Sequence, residues 1–196
     1  YKRQTIQEAC SPVSYQSELC STSCIIASPG YYVDYSAAPS ETACNIGTYN
    51  PQPGSSSASD CIVADPGNYV DYDGASTQMA CPTGTYNENS NSITSDDCLS
   101  ANPGYYVENI GSSEQTPCDV GYYQPSSGQT SCSESPSGTY VPNAASDSVI
   151  ECSEGTYQPN PGQGGCLDSD EGYFTPAPRA SEQTPCCLLY TSPSPR

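Results

Sequence analysis

The chain has 196 residues, a net charge of -18 and no histidine. Leu, Ile, Val and Phe together number only 22 and Trp is absent, so apolar burial alone cannot offset the conformational entropy lost on folding. Lys2, Arg3, Arg179 and Arg196 are the only basic residues, which excludes nucleic acid and acidic membrane surfaces as partners because both require clusters of Lys and Arg.

Thirteen cysteines supply the missing stabilisation. Without His or a Cys-x2-Cys pair they do not suit zinc, so we expect disulfides formed in an oxidising, extracellular setting. The lack of His also removes the commonest general base and the usual Ser/His and Cys/His nucleophiles, so the sequence predicts no enzyme active site. No segment approaches the roughly 20 apolar residues that would span a bilayer.

Cysteine spacing divides the chain into tandem repeats. From Cys24 to Cys186, intervals of 20 residues alternate with intervals of 17 or 14 residues. This period predicts an N-terminal segment (1–23), four full repeats (24–60, 61–97, 98–131 and 132–165) and a partial fifth repeat (166–186).

Each full repeat consists of two half-repeats, and each half-repeat carries Gly-x-Tyr or Gly-x-Phe. Glycine suits a backbone of positive φ or a close approach to another strand, and the aromatic ring two residues later lies on the same face of an extended segment. We expect the ring to form the small core of each half-repeat. These core aromatics are Tyr32, Tyr49, Tyr69, Tyr86, Tyr106, Tyr123, Tyr140, Tyr157 and Phe174.

Turn residues fill the remainder of each half-repeat. Pro-Gly and Asn-Pro pairs recur among many Ser and Thr residues, and no amphipathic helical period is present. The sequence therefore predicts a small disulfide-rich fold of short strands and irregular loops with little or no helix, extended as a rod of stacked repeats.

Three half-repeats open with Cys-x2-Gly-x-Tyr: Cys44-Asn-Ile-Gly-Thr-Tyr49, Cys81-Pro-Thr-Gly-Thr-Tyr86 and Cys152-Ser-Glu-Gly-Thr-Tyr157. This opening resembles the ephrin-receptor-like cysteine-rich repeats and, more distantly, the first module of the tumour-necrosis-factor-receptor repeats. In those families a loop and a Cys-x2-Cys pair follow. The resemblance covers Cys10 to Cys186 and implies a secreted or cell-surface protein.

Alternate half-repeats depart from the family pattern because both of their cysteines are missing. The pattern would place these cysteines at positions held here by Ala27 and Glu41, Ala64 and Gln78, Ala101 and Gln115, Ser135 and Val149, and Ser169 and Gln183. The loss of both cysteines of a pair is the pattern expected if a whole disulfide has been removed from the half-repeat.

The resemblance also implies how the remaining cysteines pair. The implied disulfides are Cys44–Cys61, Cys81–Cys98, Cys118–Cys132 and Cys152–Cys166, with Cys10–Cys24 in a degenerate first copy that retains Tyr15. A rival register joins cysteines 20 residues apart, such as Cys24 and Cys44, together with Cys10 and Cys20. The rival register leaves no unpaired cysteine before residue 187, whereas the first register leaves Cys20 and Cys186 without a disulfide partner.

Two acidic sequences are candidates for calcium. Asp71-Tyr-Asp73-Gly74 and Asp168-Ser-Asp170-Glu171-Gly172 place carboxylates at alternate positions before a glycine. Neither continues into a full calcium loop, so we expect no metal cofactor. The 47 Ser and Thr residues among 19 prolines are typical of O-glycosylated stalks and equally of ordinary turns.

The last ten residues, 187–196, break the repeat. The run Cys187-Leu-Leu-Tyr-Thr-Ser-Pro-Ser-Pro-Arg196 resembles the translated read-through of a transposase adapter used in sequencing libraries. We expect this tail to be non-native and the natural chain to continue beyond Cys186. The alternative is a genuine short tail.

These features favour an extracellular structural or adhesive repeat protein that self-associates into fibres or a surface layer. The tyrosine pairs Tyr31-Tyr32, Tyr105-Tyr106 and Tyr122-Tyr123 are the candidates for lateral contact or carbohydrate binding. The alternative function, which the resemblance allows, is the ligand-binding ectodomain of a cell-surface receptor.

Overall fold

A computed structural model of the chain describes residues 9–17 and 23–186. These residues form ten antiparallel hairpins of two-residue strands, together with the short 3-10 helices Ala58–Asp60 and Ser95–Asp97. The predicted fold of short strands and irregular loops with disulfides and little helix is therefore confirmed. The strands are β1 (Ser14–Tyr15), β2 (Ile25–Ile26), β3 (Tyr31–Tyr32), β4 (Thr42–Ala43), β5 (Thr48–Tyr49), β6 (Ile62–Val63), β7 (Asn68–Tyr69), β8 (Met79–Ala80), β9 (Thr85–Tyr86), β10 (Leu99–Ser100), β11 (Tyr105–Tyr106), β12 (Thr116–Pro117), β13 (Tyr122–Tyr123), β14 (Ser133–Glu134), β15 (Thr139–Tyr140), β16 (Ile150–Glu151), β17 (Thr156–Tyr157), β18 (Leu167–Asp168), β19 (Tyr173–Phe174) and β20 (Thr184–Pro185).

The Gly-x-aromatic motif starts all the hairpins from β3–β4 onward. In the β13–β14 hairpin, the Tyr122 N–H donates to the Asp119 carbonyl (2.9 Å), which closes a turn just before the strand. Gly121 occupies the third position of this turn with φ +88, as a type II turn requires. The aromatic residue then enters the ladder, where Tyr123 pairs with Ser133.

The hairpins belong to two compact units. The first unit holds the described residues up to Ser100 together with Asn109–Glu114, and it contains β1 to β10. The second unit holds Ala101–Glu108 and the described residues from Gln115 onward, and it contains β11 to β20. The repeat boundaries inferred from the cysteine spacing stay predictions.

The buried core lies beside the motif aromatics, of which Tyr86 alone is itself buried. In the first unit, Ala64, Val70 and Ala75 form one buried cluster, and Tyr49 packs against it while remaining partly exposed. Ala27, Val33 and Ala38 form the corresponding cluster one repeat earlier, with Tyr15 at its margin. The centre of each cluster is thus the valine that directly follows the aromatic ring.

This arrangement corrects the expectation that the rings form the core. Successive side chains in a strand point to opposite faces, so the valine after the aromatic faces away from the ring and packs with the small Ala side chains. Among the nine motif aromatics, Tyr86 is buried and Phe174 is exposed. The others are half-buried: Tyr32, Tyr49, Tyr69, Tyr106, Tyr123, Tyr140 and Tyr157.

Candidate functional site at the hairpin junctions

Five disulfides staple alternate hairpins. They join Cys10 to Cys24, Cys44 to Cys61, Cys81 to Cys98, Cys118 to Cys132 and Cys152 to Cys166. The structure therefore adopts the register implied by the ephrin-receptor-like resemblance, and the rival register of 20-residue partners does not form among the described cysteines. Cys186 is free and exposed, while Cys20 and the tail from residue 187 lie outside the described residues.

In four of the five described hairpins without a disulfide, a side-chain hydrogen bond spans the place of the missing bridge. The Glu41 carboxylate accepts the Ser28 N–H at 2.7 Å. The Gln78 amide oxygen accepts the Asp65 N–H at 2.8 Å. The same clamp recurs from Gln115 to Asn102 and from Gln183 to Asp170. The residues that replace the second cysteine of each missing pair thus hold the hairpin closed by another means.

One disulfide-free hairpin has neither partner of this clamp. Position 149 holds Val, which cannot accept a hydrogen bond, and the N–H donor position holds Pro136, which has no N–H. Because Pro136 has no N–H to satisfy, position 149 does not require a side chain that accepts a hydrogen bond. Sequence reasoning missed the clamp, although a Glu or Gln at positions 41, 78, 115 and 183 was a visible pattern.

Within each unit, backbone hydrogen bonds join a hairpin to the next one. At one junction of the first unit three N–H groups donate across: Gly30 to the Asn50 carbonyl (2.7 Å), Val33 to the Ser55 carbonyl (3.0 Å) and, in return, Gly54 to the Ala27 carbonyl (2.8 Å). The pattern recurs in the second unit, from Gly121 to Val141, from Gln124 to Ser146 and from Ala145 back to Cys118. Because these bonds use main-chain atoms, they tolerate variation of the side chains.

The motif glycine has a second role besides its turn conformation. A Cβ on Gly121 would lie 2.1 Å from the Gly162 carbonyl oxygen, which belongs to the hairpin two positions further along. Gly155 has nearly the same φ, +82, but a Cβ there would meet nothing within 4 Å. Glycine at position 121 therefore serves both the turn and the close approach of a neighbouring backbone.

The residue after each motif aromatic alternates between an apolar residue and an amide. Disulfide-free hairpins bury Val33, Val70, Val107, Val141 or Thr175 there, and four of the stapled hairpins bury Asn50, Asn87, Gln124 or Gln158. Asn stands where the disulfide spans 17 residues and Gln where it spans 14. Asn50 donates to the Ser55 hydroxyl (2.7 Å), whereas the longer Gln124 reaches the Ser131 carbonyl (2.8 Å). The alternation is visible in the sequence, but sequence reasoning did not predict that these residues are buried.

The tyrosine pairs expected to make lateral contacts are partly engaged within the chain. The Tyr31 ring covers Gly74, since a Cβ on that glycine would lie 2.7 Å from the phenol oxygen. The Tyr122 hydroxyl donates to Glu134 Oε1 at 3.1 Å. This hydrogen bond and the carboxylate charge raise the pKa of Tyr122 above its ordinary value of 10.0. Tyr35 and Tyr72, which the sequence did not single out, are 54% and 51% exposed.

The acidic sequences proposed for calcium take part in hydrogen bonds between and within hairpins. Asp73 Oδ1 accepts the Ile46 N–H at 2.7 Å, and Asp170 Oδ2 accepts from the Gln183 amide. Asp71 and Asp168 are exposed. Within residues 9–17 and 23–186, three or more Asp, Glu, Cys or His side chains do not gather into a group that could hold a metal ion. The structure therefore does not bring these carboxylates together.

Comparison with known proteins identifies one family. Residues 104–152 match the family model described as "Tyrosine-protein kinase ephrin type A/B receptor-like". Together with the tandem disulfides, this match confirms the resemblance to ephrin-receptor-like cysteine-rich repeats, which are not enzymatic domains. No curated protein matches the chain. Repeats closed by several disulfides indicate an extracellular location.

The described part of the chain contains no helix with the length and apolar character needed to cross a membrane.

Proposed function

We propose that the chain is a structural and adhesive segment of an extracellular protein. The observation that supports this role most directly is the set of three backbone hydrogen bonds that links one hairpin to the next within each unit. An isolated two-stranded hairpin is marginally stable in water, so each hairpin depends on its neighbours. In such an array each hairpin is stabilised by its neighbours, so further hairpins can be added without a new core.

Self-association is the finer part of the proposal, and Tyr35 and Tyr72 support it. Both rings are about half exposed, and both stand two residues after the buried valine of their hairpin, 37 residues apart. Equivalent aromatic contacts on successive repeats add avidity when two chains align. The net charge of -18 opposes such contact, so self-association should strengthen as salt screens the repulsion.

Bead clustering tests this role. Beads coated with the full, disulfide-bonded chain should form clusters, measured by light scattering, and the clusters should grow with ionic strength. The double variant Tyr35→Ser/Tyr72→Ser should cluster less. Ile110→Ser, which removes an aliphatic side chain that is 69% exposed, is the matched control and should cluster like the parent. Beads that stay dispersed at every salt concentration, or equal loss in the control, would count against self-association.

O-glycosylation is a separate part of the proposal. The described loops carry many Ser and Thr residues near prolines, and an extracellular chain passes the enzymes that glycosylate them. The intact mass of the chain secreted from a host cell should exceed the sequence mass by whole sugar residues. A mass equal to the sequence mass would remove this part of the proposal alone.

A receptor ectodomain is the second candidate function. The family match supports it, because the matched family is described by a receptor name. The discriminating observation is the full-length gene. A membrane span followed by an intracellular signalling domain would favour the receptor, whereas further repeats without a signalling domain would favour the structural role.

A further inference from the structure

A groove of about 310 Å³ opens on the second unit, between the first strand of the β11–β12 hairpin and the β13–β14 hairpin. Two tyrosines, Tyr106 and Tyr122, and two acidic residues, Glu108 and Asp119, are among the residues that line it. Thr130, Ser131 and Cys132 complete the lining. The volume lies at the lower end of the roughly 300–1,000 Å³ range of ligand pockets, which suits one side chain better than a large cofactor.

Among the described residues that line the groove, two are acidic and none is basic. Glu108 and Asp119 are exposed, and their carboxylates are acceptors only. Glu134 places a third carboxylate next to Tyr122, because Glu134 Oε1 accepts a hydrogen bond from the Tyr122 hydroxyl at 3.1 Å. Arg179, the one basic residue within the described ranges, lies 3.7 Å from Glu151 instead. The local field therefore attracts a positively charged group.

The two tyrosine rings indicate which kind of positively charged group suits the groove. The face of a phenol ring carries negative charge density and attracts a cation placed within about 6 Å of its centre. Rings and carboxylates together suit a group that is planar, positively charged and rich in N–H donors. Arginine combines these properties, because its guanidinium stacks on aromatic faces and pairs with carboxylates through a fixed fork of donors.

We propose that this groove binds an arginine side chain on an extended segment of a partner protein. Tyr106 and Tyr122 hold the guanidinium by stacking, while Glu108 and Asp119 accept its N–H groups. This site does not depend on the structural role proposed above. Beads that fail to cluster leave the groove unaffected, and an empty groove leaves the structural role unaffected.

A peptide titration tests the proposal with the full, oxidised chain. The probe is a pentapeptide with one arginine flanked by glycines, blocked at both ends, and the matched peptide carries citrulline, which has the same shape without the charge. NMR of the isotopically labelled chain should show shifts at the groove residues with the arginine peptide. Binding should be millimolar, weaken with added salt, and fall at least about five-fold with citrulline.

Variants separate this site from general attraction to an acidic protein. Glu108→Gln and Asp119→Asn should each weaken binding about two- to five-fold, the size expected for one exposed ion pair. Glu154→Gln removes the same charge from an exposed position that does not line the groove, and it should bind like the parent. Tyr122→Phe keeps the ring and should retain binding within about two-fold, whereas Tyr122→Leu should lose it.

Four results would overturn the assignment. They are equal binding of the citrulline peptide, shifts confined to residues outside the groove, equal weakening by Glu154→Gln, and no shift at any accessible concentration of the arginine peptide. Stronger binding of a neutral sugar than of the arginine peptide would also reassign the groove to carbohydrate.

Discussion

The hydrogen-bond clamp between the Asp65 N–H and Gln78 can be replaced by a disulfide between positions 64 and 78. These two residues hold the same places relative to β7 and β8 as Cys44 and Cys61 hold relative to β5 and β6. The two ladders have equivalent registers, and the natural disulfide spans 5.6 Å between Cα atoms. The double variant Ala64→Cys/Gln78→Cys should therefore form a bridge without movement of the backbone.

The magnitude follows from two opposing terms. A bridge from position 64 to 78 closes a loop of about 15 residues, which stabilises by about 3 kcal/mol in the chain-entropy model. The variant loses two surface hydrogen bonds of 2.8 Å each, one from the Asp65 N–H to the Gln78 amide oxygen and one from the Gln78 amide nitrogen to Asp65 Oδ2, at a combined cost of about 1–2 kcal/mol. Ala64 is fully buried, as is Cys44 at the equivalent place, so a sulfur atom should fit. The net gain should be about 1–2 kcal/mol.

Denaturant unfolding of the oxidised proteins measures this gain. The double variant should show no free thiol beyond those of the parent, and its unfolding midpoint should rise. Gln78→Ala serves as the control for the lost clamp and should be less stable than the parent by about 1–2 kcal/mol, since it removes both hydrogen bonds to Asp65. The reasoning fails if the two new cysteines stay unlinked after oxidation, or if the linked variant is less stable than Gln78→Ala.

Three further predictions concern single residues. Gly155→Ala should lower the unfolding free energy by about 1–2 kcal/mol because the backbone there has a positive φ. Gly121→Ala should lower it by about 1–3 kcal/mol more, because its Cβ would also meet the Gly162 carbonyl, and equal losses in the two variants would exclude this close contact. Val70→Ala should destabilise by about 2 kcal/mol in the same assay, since this side chain is fully buried, and a neutral result would remove it from the core. Glu134→Gln should lower the pKa of Tyr122 toward its ordinary value, measured by NMR as a function of pH, and an unchanged pKa would exclude the hydrogen bond. Because the pKa of Tyr122 is raised in the folded state, this bond stabilises the fold fully below about pH 10, and its contribution is lost as pH rises through the folded-state pKa.

The cysteine spacing predicted the repeat but left two disulfide registers open. The Cys-x2-Gly-x-Tyr opening carries the resemblance to ephrin-receptor-like repeats, and that resemblance implied the five pairs that the structure contains. The degenerate first copy also follows the pattern, with Val13 in the glycine position at φ 87. Local constraints of this kind, namely turn chemistry and short covalent loops, leave few alternatives for the backbone.

The location of the core could not be predicted from the same motif. A large aromatic ring is the natural candidate, yet the valine or amide that follows it is the buried residue. Which face of a two-residue strand is covered depends on the neighbouring hairpins, and their placement is a tertiary property. The arginine-binding groove depends on the same placement, because its rings and carboxylates come from two different hairpins.

Sequence alone determined that this chain depends on covalent staples, since it has little apolar material and many cysteines. It also determined the repeat and the turns. Only the tertiary structure showed that the missing disulfides are replaced by Glu and Gln clamps, and that the motif glycine receives the backbone of a hairpin two positions away. Both facts concern distances between segments separated by 13 or more residues, which spacing and composition do not encode.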